Sequence, residues 1–148
     1  MTEISFYQLK RHSMERALLR LLEKVLSAGE RAVVRLAEEV EVPLMDTALW
    51  SVDPDSFLAH GSSKSARPEQ QPVFLTAGQD NPAGAAFLFI LPGAPAAGLD
   101  KCKRVFFVFD GNSENQVAKA REQWKTLKNE DHDLTYWSQT EQGGWQKK

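Results

Sequence analysis

Three short, almost uninterrupted apolar segments constrain the fold of this chain more than any other feature. They are PVFLTA (72–77), AAFLFIL (85–91) and KRVFFVFD (103–110). Each is too short for a typical helix and too continuously apolar for a strand with one solvated face. Such segments are typical of central strands in a parallel sheet that is covered on both faces. We therefore expect helices on both sides of a buried sheet.

The N-terminal part of the chain supplies the first helix of such a fold. ISFYQL (4–9) favours a strand, and SMERALLRLLEKVLSAG (13–29) then repeats its apolar residues at helical spacing, with Ser13 as the N-cap. AVVRLA (32–37) follows as a second strand, in the order that a parallel crossover requires. The sequence predicts an α/β fold: a Rossmann-like, mainly parallel sheet flanked by helices, in a single domain over residues 1–148.

The remaining segments complete this predicted organisation. PLMDTALW (43–50) favours a short helix, and residues 51–71, rich in Asp, Pro, Gly and Ser, are predicted to form an exposed loop. A second long helix is expected at 113–128 and a strand at 134–139. Residues 140–148 are expected to be a polar tail.

Composition limits the possible environments of the protein. Its 148 residues are 42% apolar and 26% charged, as in ordinary soluble proteins, and no apolar run approaches the roughly 18 residues that a membrane span needs. The N-terminus lacks the pattern of a signal peptide. Cys102 is the single cysteine, so neither an intrachain disulfide nor a CxxC pair can form. We expect a cytoplasmic protein without membrane contact.

The motifs of cofactor binding and catalysis are missing from the expected places. The turn after the first strand, QLKRHSM (8–14), contains none of the glycines of a phosphate-binding loop, so we expect no nucleotide cofactor. FDGNS (109–113) is interpreted as a turn rather than a metal or phosphate site, because no second carboxylate or lysine lies at a fixed offset. Catalytic and metal-binding residues are also not expected: no residue near Cys102 in the sequence clearly activates its thiolate, and the histidines are scattered at positions 12, 60 and 132.

The predicted helix at 113–128 carries the clearest candidate for a binding site. Residues 101–128 hold seven Lys or Arg against three acids, whereas residues 30–60 hold seven acids against two arginines. In the helix, a basic stripe at i, i+4 and i+7 runs beside Trp124; its members are Arg121, Lys125 and Lys128. This pattern fits either a solvated stripe next to a core tryptophan or a docking surface for an acidic peptide end, and the spacing alone does not decide between them.

Five stretches of the chain together resemble a known protein family. They are ISFYQL, DTALWSVDPDSFLAH, VFFVFDG, AREQWK and the YW pair at 136–137. In order, spacing and chain length they resemble the chi subunit of the bacterial DNA polymerase III holoenzyme. The resemblance implies a non-enzymatic adaptor of the clamp-loader assembly that needs no cofactor, contacts DNA only indirectly and has a nucleotide-binding-like fold without a bound nucleotide.

The resemblance also implies two partners and the residues that meet them. The acidic C-terminal tail of single-stranded DNA-binding protein, which ends in a phenylalanine carboxylate, is expected at Arg121, Trp124 and Lys125, with Lys128 and Trp137 as neighbours. In some relatives a lysine precedes the arginine by one turn, but Val117 stands there in this chain, and Lys128 or Lys119 is the substitute that helical position suggests.

The psi subunit of the clamp loader is expected at the LWSVDPDSF stretch, through Trp50, Pro54 and Phe57. The alternative is that both aromatic residues pack beneath the loop.

Two other functions stay open at this point. One is a nucleotide-dependent enzyme that uses the FDGNS turn, and the other is a direct nucleic-acid-binding protein that uses the basic segment 101–128.

Overall fold

A single eight-stranded sheet runs through the part of the chain that the structure describes. The computed structural model describes residues 2–53, 60–62, 67, 70–82, 84–130 and 132–147. The strands are β1 (Glu3–Leu9), β2 (Ala32–Arg35), β3 (Gly61–Ser62), β4 (Val73–Thr76), β5 (Phe87–Ile90), β6 (Arg104–Asp110), β7 (Asp133–Gln139) and β8 (Trp145–Lys147). The helices are α1 (Met14–Ser27), α2 (Glu41–Ser51) and α3 (Glu114–Lys128), and one turn of 3₁₀ helix covers Leu99–Lys101.

The strands lie in the order β3-β4-β2-β5-β6-β1-β7-β8, and every neighbouring pair is parallel except β7 and β8. This arrangement confirms the predicted α/β class with a mainly parallel sheet. The first crossover does not join neighbours, because β5 and β6 lie between β1 and β2. The carboxyl ends of β1, β6 and β7 therefore meet at one edge, which is where α/β proteins usually place their ligands.

Helix α1 begins and ends where its sequence predicts. The Ser13 hydroxyl accepts a hydrogen bond from the Arg16 amide at 3.3 Å, and Gly29 follows the helix with a φ of +78°, which favours glycine. Leu18 and Leu22 are completely buried on the helix face that meets the sheet. Burial of this leucine stripe fixes α1 on one face of the sheet.

The sheet separates two groups of buried side chains. One group joins α1 and α2 to the sheet, and the other joins α3 to the opposite face. All residues of β2, β4 and β5 are buried. This confirms the prediction that the continuous apolar segments are strands covered on both sides.

Two segments differ from the expectation drawn from their composition. Within the predicted loop at 51–71, His60 is buried and Gly61–Ser62 adds the edge strand β3 beside β4. In the expected tail, Trp145–Lys147 pairs with β7 as β8, and the indole of Trp145 packs edge to face on Tyr7 at 5.0 Å. Both segments gain their structure from distant partners, which local composition does not reveal.

Candidate functional site

Helix α3 presents its charged residues outward because its small and apolar residues face the sheet. Ala120 and Leu127 are buried, whereas Arg121 and Lys125 are exposed. The helix starts at the Ser113 N-cap, whose hydroxyl accepts a hydrogen bond from the Gln116 amide at 3.4 Å. In a full capping box, the Gln116 side chain would also accept a hydrogen bond from the Ser113 amide, but here it does not. It accepts a hydrogen bond from the Asp110 amide at 2.8 Å and so ties the helix to the end of β6.

Trp124 lies half-buried between the core and the surface. Its ring meets Phe6 edge to face with centroids 5.3 Å apart, and it meets Tyr136 in the same way at 5.8 Å. Tyr136 in turn stacks on Phe6 at 6.3 Å. These contacts hold the indole and the phenol in fixed positions, and each ring still keeps part of its surface open to solvent.

A cavity of about 420 Å³ opens beside these rings, and it is lined by Gln8, Arg121, Trp124, Lys125 and Tyr136. We call this site the α3 cradle. Its volume lies within the range of roughly 300–1,000 Å³ that is typical of ligand pockets. It brings together three of the residues that sequence reasoning singled out, namely the arginine, the tryptophan and one lysine.

The charged residues that line the α3 cradle in the described part of the chain are both basic, Arg121 and Lys125. None of the ion pairs between described residues involves either of them. The positive charge of Arg121 reaches the phenol of Tyr136: burial raises the pKa of Tyr136, and Arg121 lowers it in part. Tyr136 also donates a hydrogen bond to the Gln8 side-chain oxygen. The cradle thus offers cations and aromatic surface without an internal acid to neutralise it.

The other residues expected near this site lie elsewhere. Lys128 is exposed one turn further along α3 and does not line the cavity, and Lys119 lines a different cavity. Trp137 points to the opposite face of the sheet, where its ring stacks on Tyr7 with centroids 6.5 Å apart. Its neighbour Tyr136 faces the cradle instead, because successive side chains in a strand point to opposite faces.

Sequence reasoning missed two residues of the cradle, Tyr136 and Gln8. Both follow from strand alternation once a single residue of each strand is placed. Phe6 packs against Trp124, so Gln8 has its side chain on the same face of β1. The register that pairs Phe6 with Tyr136 places the phenol beside them.

A second surface is formed by α2. Trp50 in its last turn is 43% exposed, and its ring lies 4.4 Å from the ring of His60, measured between centroids. The His60 side chain is fully buried, and its Nε2 lies 3.0 Å from the carbonyl oxygen of Asp46 in α2. His60 therefore supports Trp50 from below and leaves the outer part of the indole exposed.

Exposed apolar side chains concentrate on this helix. Among the described residues, the large hydrophobic side chains that are clearly exposed belong to α2 or its N-cap: Val40, Leu44 and Trp50. Val40 and Leu44 are four residues apart and therefore lie on one side of the helix, which makes α2 a candidate interaction surface. Pro54 and Phe57, the other residues expected here, lie outside the described residues.

The turn after β1 contains three consecutive backbone amides, at the place where a nucleotide-binding fold would bind phosphate. The Gln139 side-chain oxygen accepts hydrogen bonds from the amides of Lys10, Arg11 and His12, at 3.0, 2.8 and 3.1 Å. Consecutive amides in a turn form a concavity that binds anions in many phosphate-binding proteins. Here the glutamine carbonyl fills that concavity, and Gln139 itself is 2% exposed.

The FDGNS segment forms the turn that its sequence predicts. The Asp110 carboxylate accepts a hydrogen bond from the Asn112 amide at 2.9 Å, an interaction within the turn itself.

Nowhere among the described residues do three or more His, Cys, Asp or Glu side chains form a group that could hold a metal ion. Within the described ranges, every helix is too short or too polar to cross a lipid bilayer.

Comparison with known proteins agrees with the resemblance seen in the sequence. The chain matches the family model described as DNA polymerase III chi subunit, HolC, over residues 1–135. A curated relative, "Probable DNA polymerase III subunit chi" of Rickettsia prowazekii (strain Madrid E), is 27% identical over 109 residues. This match covers 74% of the present chain and 66% of the relative, which is just under two thirds of its length. The chain belongs to the DNA polymerase III chi subunit family.

Proposed function

We propose that this protein is a non-catalytic adaptor of the replicative polymerase. Its α3 cradle binds the acidic C-terminal tail of single-stranded DNA-binding protein, and its α2 surface binds the psi subunit of the clamp loader. The protein thereby links the clamp loader to the protein that coats single-stranded DNA, and it meets DNA only through that partner. Membership of the chi family supports the replication role.

The observation that carries the proposal is the composition of the α3 cradle. Its lining combines a guanidinium, an ammonium group and two aromatic rings, and none of the described residues that line it is an acid. A peptide end that carries a terminal carboxylate, an aromatic side chain and upstream acids has a complement for each of these groups. A neutral or basic peptide lacks acidic side chains that could pair with Arg121 and Lys125.

Arg121 is the group that we assign to the terminal carboxylate. Its guanidinium can donate two parallel hydrogen bonds to one carboxylate, a geometry that lysine cannot reproduce. Arg121 is exposed and makes no ion pair with a described carboxylate, so no internal partner has to be displaced. The arginine is therefore available to the incoming peptide.

The rings and the lysine complete the recognition. An aromatic side chain of the peptide can pack against the open surfaces of Trp124 and Tyr136, which are already held in place by Phe6. Lys125 lies one turn after Arg121 and attracts acids upstream of the peptide end. Rigid aromatic rings beside an arginine are typical of residues that dominate binding energy at interfaces.

The α2 surface is the proposed site for psi. Trp50 is large, aromatic and partly exposed on a helix whose other exposed apolar residues include Leu44. Pro54 and Phe57 follow Trp50 in the sequence, and we assign them to the same proposed site. Because α2 packs on the opposite face of the sheet from α3, the two partners can bind at the same time.

Isothermal titration separates this proposal from its alternatives. Intact protein is titrated with an acidic peptide that ends in a phenylalanine carboxylate, with ATP, and with a single-stranded oligonucleotide. We expect saturable binding of the peptide alone. Binding of the oligonucleotide with a steep salt dependence would instead favour a direct nucleic-acid-binding protein, and binding of ATP would favour a nucleotide-dependent function.

A further inference from the structure

A second depression lies beside the α3 cradle, at the carboxyl end of β1. This depression, which we call the β1 groove, has a volume of about 590 Å³, and its lining includes Lys10, Asn112, Ser138 and Glu141. Gln8 lines both the cradle and the groove. The two depressions are therefore adjacent, and a chain that leaves the cradle past Gln8 can reach the β1 groove.

The β1 groove contains one cation and one anion, and they face each other. The described residues that line it have polar side chains apart from Leu9 and Gly111, and two of them are charged, Lys10 and Glu141. The Lys10 ammonium lies 3.3 Å from a carboxylate oxygen of Glu141, and the side chains are 52% and 76% exposed. Exposed pairs of this kind contribute little net stability, so a second carboxylate can replace the first at little cost.

The turn between β7 and β8 holds Glu141 in this position. The Thr140 amide donates to the Gly144 carbonyl at 2.7 Å, and the Gly143 amide donates to the Thr140 carbonyl at 3.0 Å. Gly143 has a φ of +93°, a conformation that favours glycine. The carboxylate of Glu141 is thus presented to Lys10 by a well-defined tight turn.

Gln8 lies in β1, and Lys10 lies in the bend just after that strand ends at Leu9. Two residues separate their positions by at most roughly 7 Å, a distance that two residues of an extended peptide also span. A peptide that places its terminal carboxylate at Arg121 and passes Gln8 brings an upstream side chain to Lys10. An acidic side chain at that position meets the Lys10 ammonium. Among the ion pairs of the described residues, Lys10 takes part in the one with Glu141.

We propose that Lys10 is a second anion-recognition residue for the acidic tail and that Glu141 is an internal competitor for it. The tail displaces the Glu141 carboxylate from Lys10 when its upstream acids enter the β1 groove. This inference rests on the proposed function, since it extends the path of the same peptide. Its consequence is selectivity for tails with acids at the correct distance from the end.

The test uses two peptides and neutralising substitutions in the intact protein. The long peptide contains the acidic segment, and the short peptide consists of about the last four residues, which end before the β1 groove. We expect Glu141→Gln to strengthen binding of the long peptide about threefold to tenfold and Lys10→Gln to weaken it by a similar factor. Neither change alters binding of the short peptide.

Two control variants remove the same charges elsewhere. Glu39→Gln neutralises an exposed acid before α2, and Lys24→Gln neutralises an exposed lysine of α1. We expect both to leave binding of the long peptide within about twofold, because surface charges at a distance are largely screened at physiological salt. Equal effects of the groove variants on both peptides, or no effect on either, would overturn the inference.

The two proposals fail in different ways. If Arg121→Ala leaves the short peptide bound as before, the α3 cradle is not the site and the proposed function fails. If Arg121→Ala abolishes binding of both peptides while the Lys10 and Glu141 variants change neither, the cradle stands and the path through the β1 groove is wrong.

Discussion

The indole of Trp124 meets the phenol ring of Tyr136 edge to face, with the two centroids 5.8 Å apart. Both rings also contact Phe6, so a residue of α3, a residue of β7 and a residue of β1 form one aromatic cluster. Arg121 lies at the edge of this cluster and acts electrostatically on the phenol. The cluster holds two aromatic rings in fixed positions beside the Arg121 guanidinium, so this side of α3 has an aromatic wall as well as positive charge.

Replacing Trp124 tests the aromatic wall. We expect Trp124→Ala to weaken binding of the acidic peptide by about tenfold or more, since aromatic anchors at interfaces commonly contribute over 2 kcal/mol. The same change removes half-buried core contacts and lowers the free energy of unfolding by about 2 kcal/mol. Titration and urea denaturation measure the two effects.

Trp124→Phe is the matched control for the aromatic wall. It keeps a ring against Phe6, so we expect it to retain most of the stability and most of the binding. Full peptide affinity in Trp124→Ala would show that the indole is a core residue only.

Ionisation of the tyrosines predicts how stability depends on pH. Burial raises the pKa of Tyr7 and Tyr136 above the ordinary value of 10.0, so the folded state holds these phenol protons more tightly than the unfolded state. The associated stability is complete below pH 10 and is lost as the pH rises through the folded pKa. We expect the urea midpoint to fall above pH 10.

Phenolate absorbance followed against pH in native and urea-unfolded protein gives both sets of pKa values. Tyr136→Phe removes one of the two titrating groups and should make the alkaline loss of stability smaller. A native titration that coincides with the unfolded one would contradict the burial of these phenols.

Replacing Trp50 tests the α2 surface separately. We expect Trp50→Ala to abolish co-purification with psi and to leave peptide affinity unchanged, because Trp50 and α3 belong to opposite faces of the sheet. Thermal unfolding should shift by only a few degrees for a side chain that is 43% exposed. Loss of both activities would point to unfolding rather than to a lost interface.

Replacing Gln139 tests the closed concavity at the end of β1. Gln139→Ala leaves three backbone amides without their acceptor, and we expect the free energy of unfolding to fall by about 1–3 kcal/mol. Gln142→Ala, at an exposed position of the following turn, is the control and should change stability by less than about 0.5 kcal/mol. Equal stability of the two variants would show that water replaces the glutamine without loss.

Local patterns predicted the interior strands and the long helices well. The apolar runs at 72–77 and 85–91 contain β4 and β5, and the leucine repeat of 13–29 contains α1. In these elements the residue pattern and the tertiary burial agree, so periodicity was sufficient. The basic stripe beside Trp124 was also visible from helical spacing alone.

Long-range contacts explain what local patterns did not reveal. β8 has a polar sequence and forms because Trp145 packs on Tyr7, which lies far away in the chain. In the YW pair, the choice between Tyr136 and Trp137 as the cradle residue depends on the register of β7 against β1. A register is set by pairing and burial, and a shift of one residue would have exchanged the two rings.

The most direct test of the central claim is whether Arg121 recognises the terminal carboxylate of the peptide. Wild-type protein and Arg121→Ala are titrated with the acidic peptide and with the same peptide carrying a C-terminal amide. Arg16→Ala, which removes an exposed arginine of α1, serves as the control. A charge-assisted hydrogen bond contributes roughly 1.5–3 kcal/mol, so each single change should weaken binding about tenfold to a hundredfold. The account predicts that amidation has little further effect once Arg121 is removed; equal loss on amidation in both proteins would contradict it.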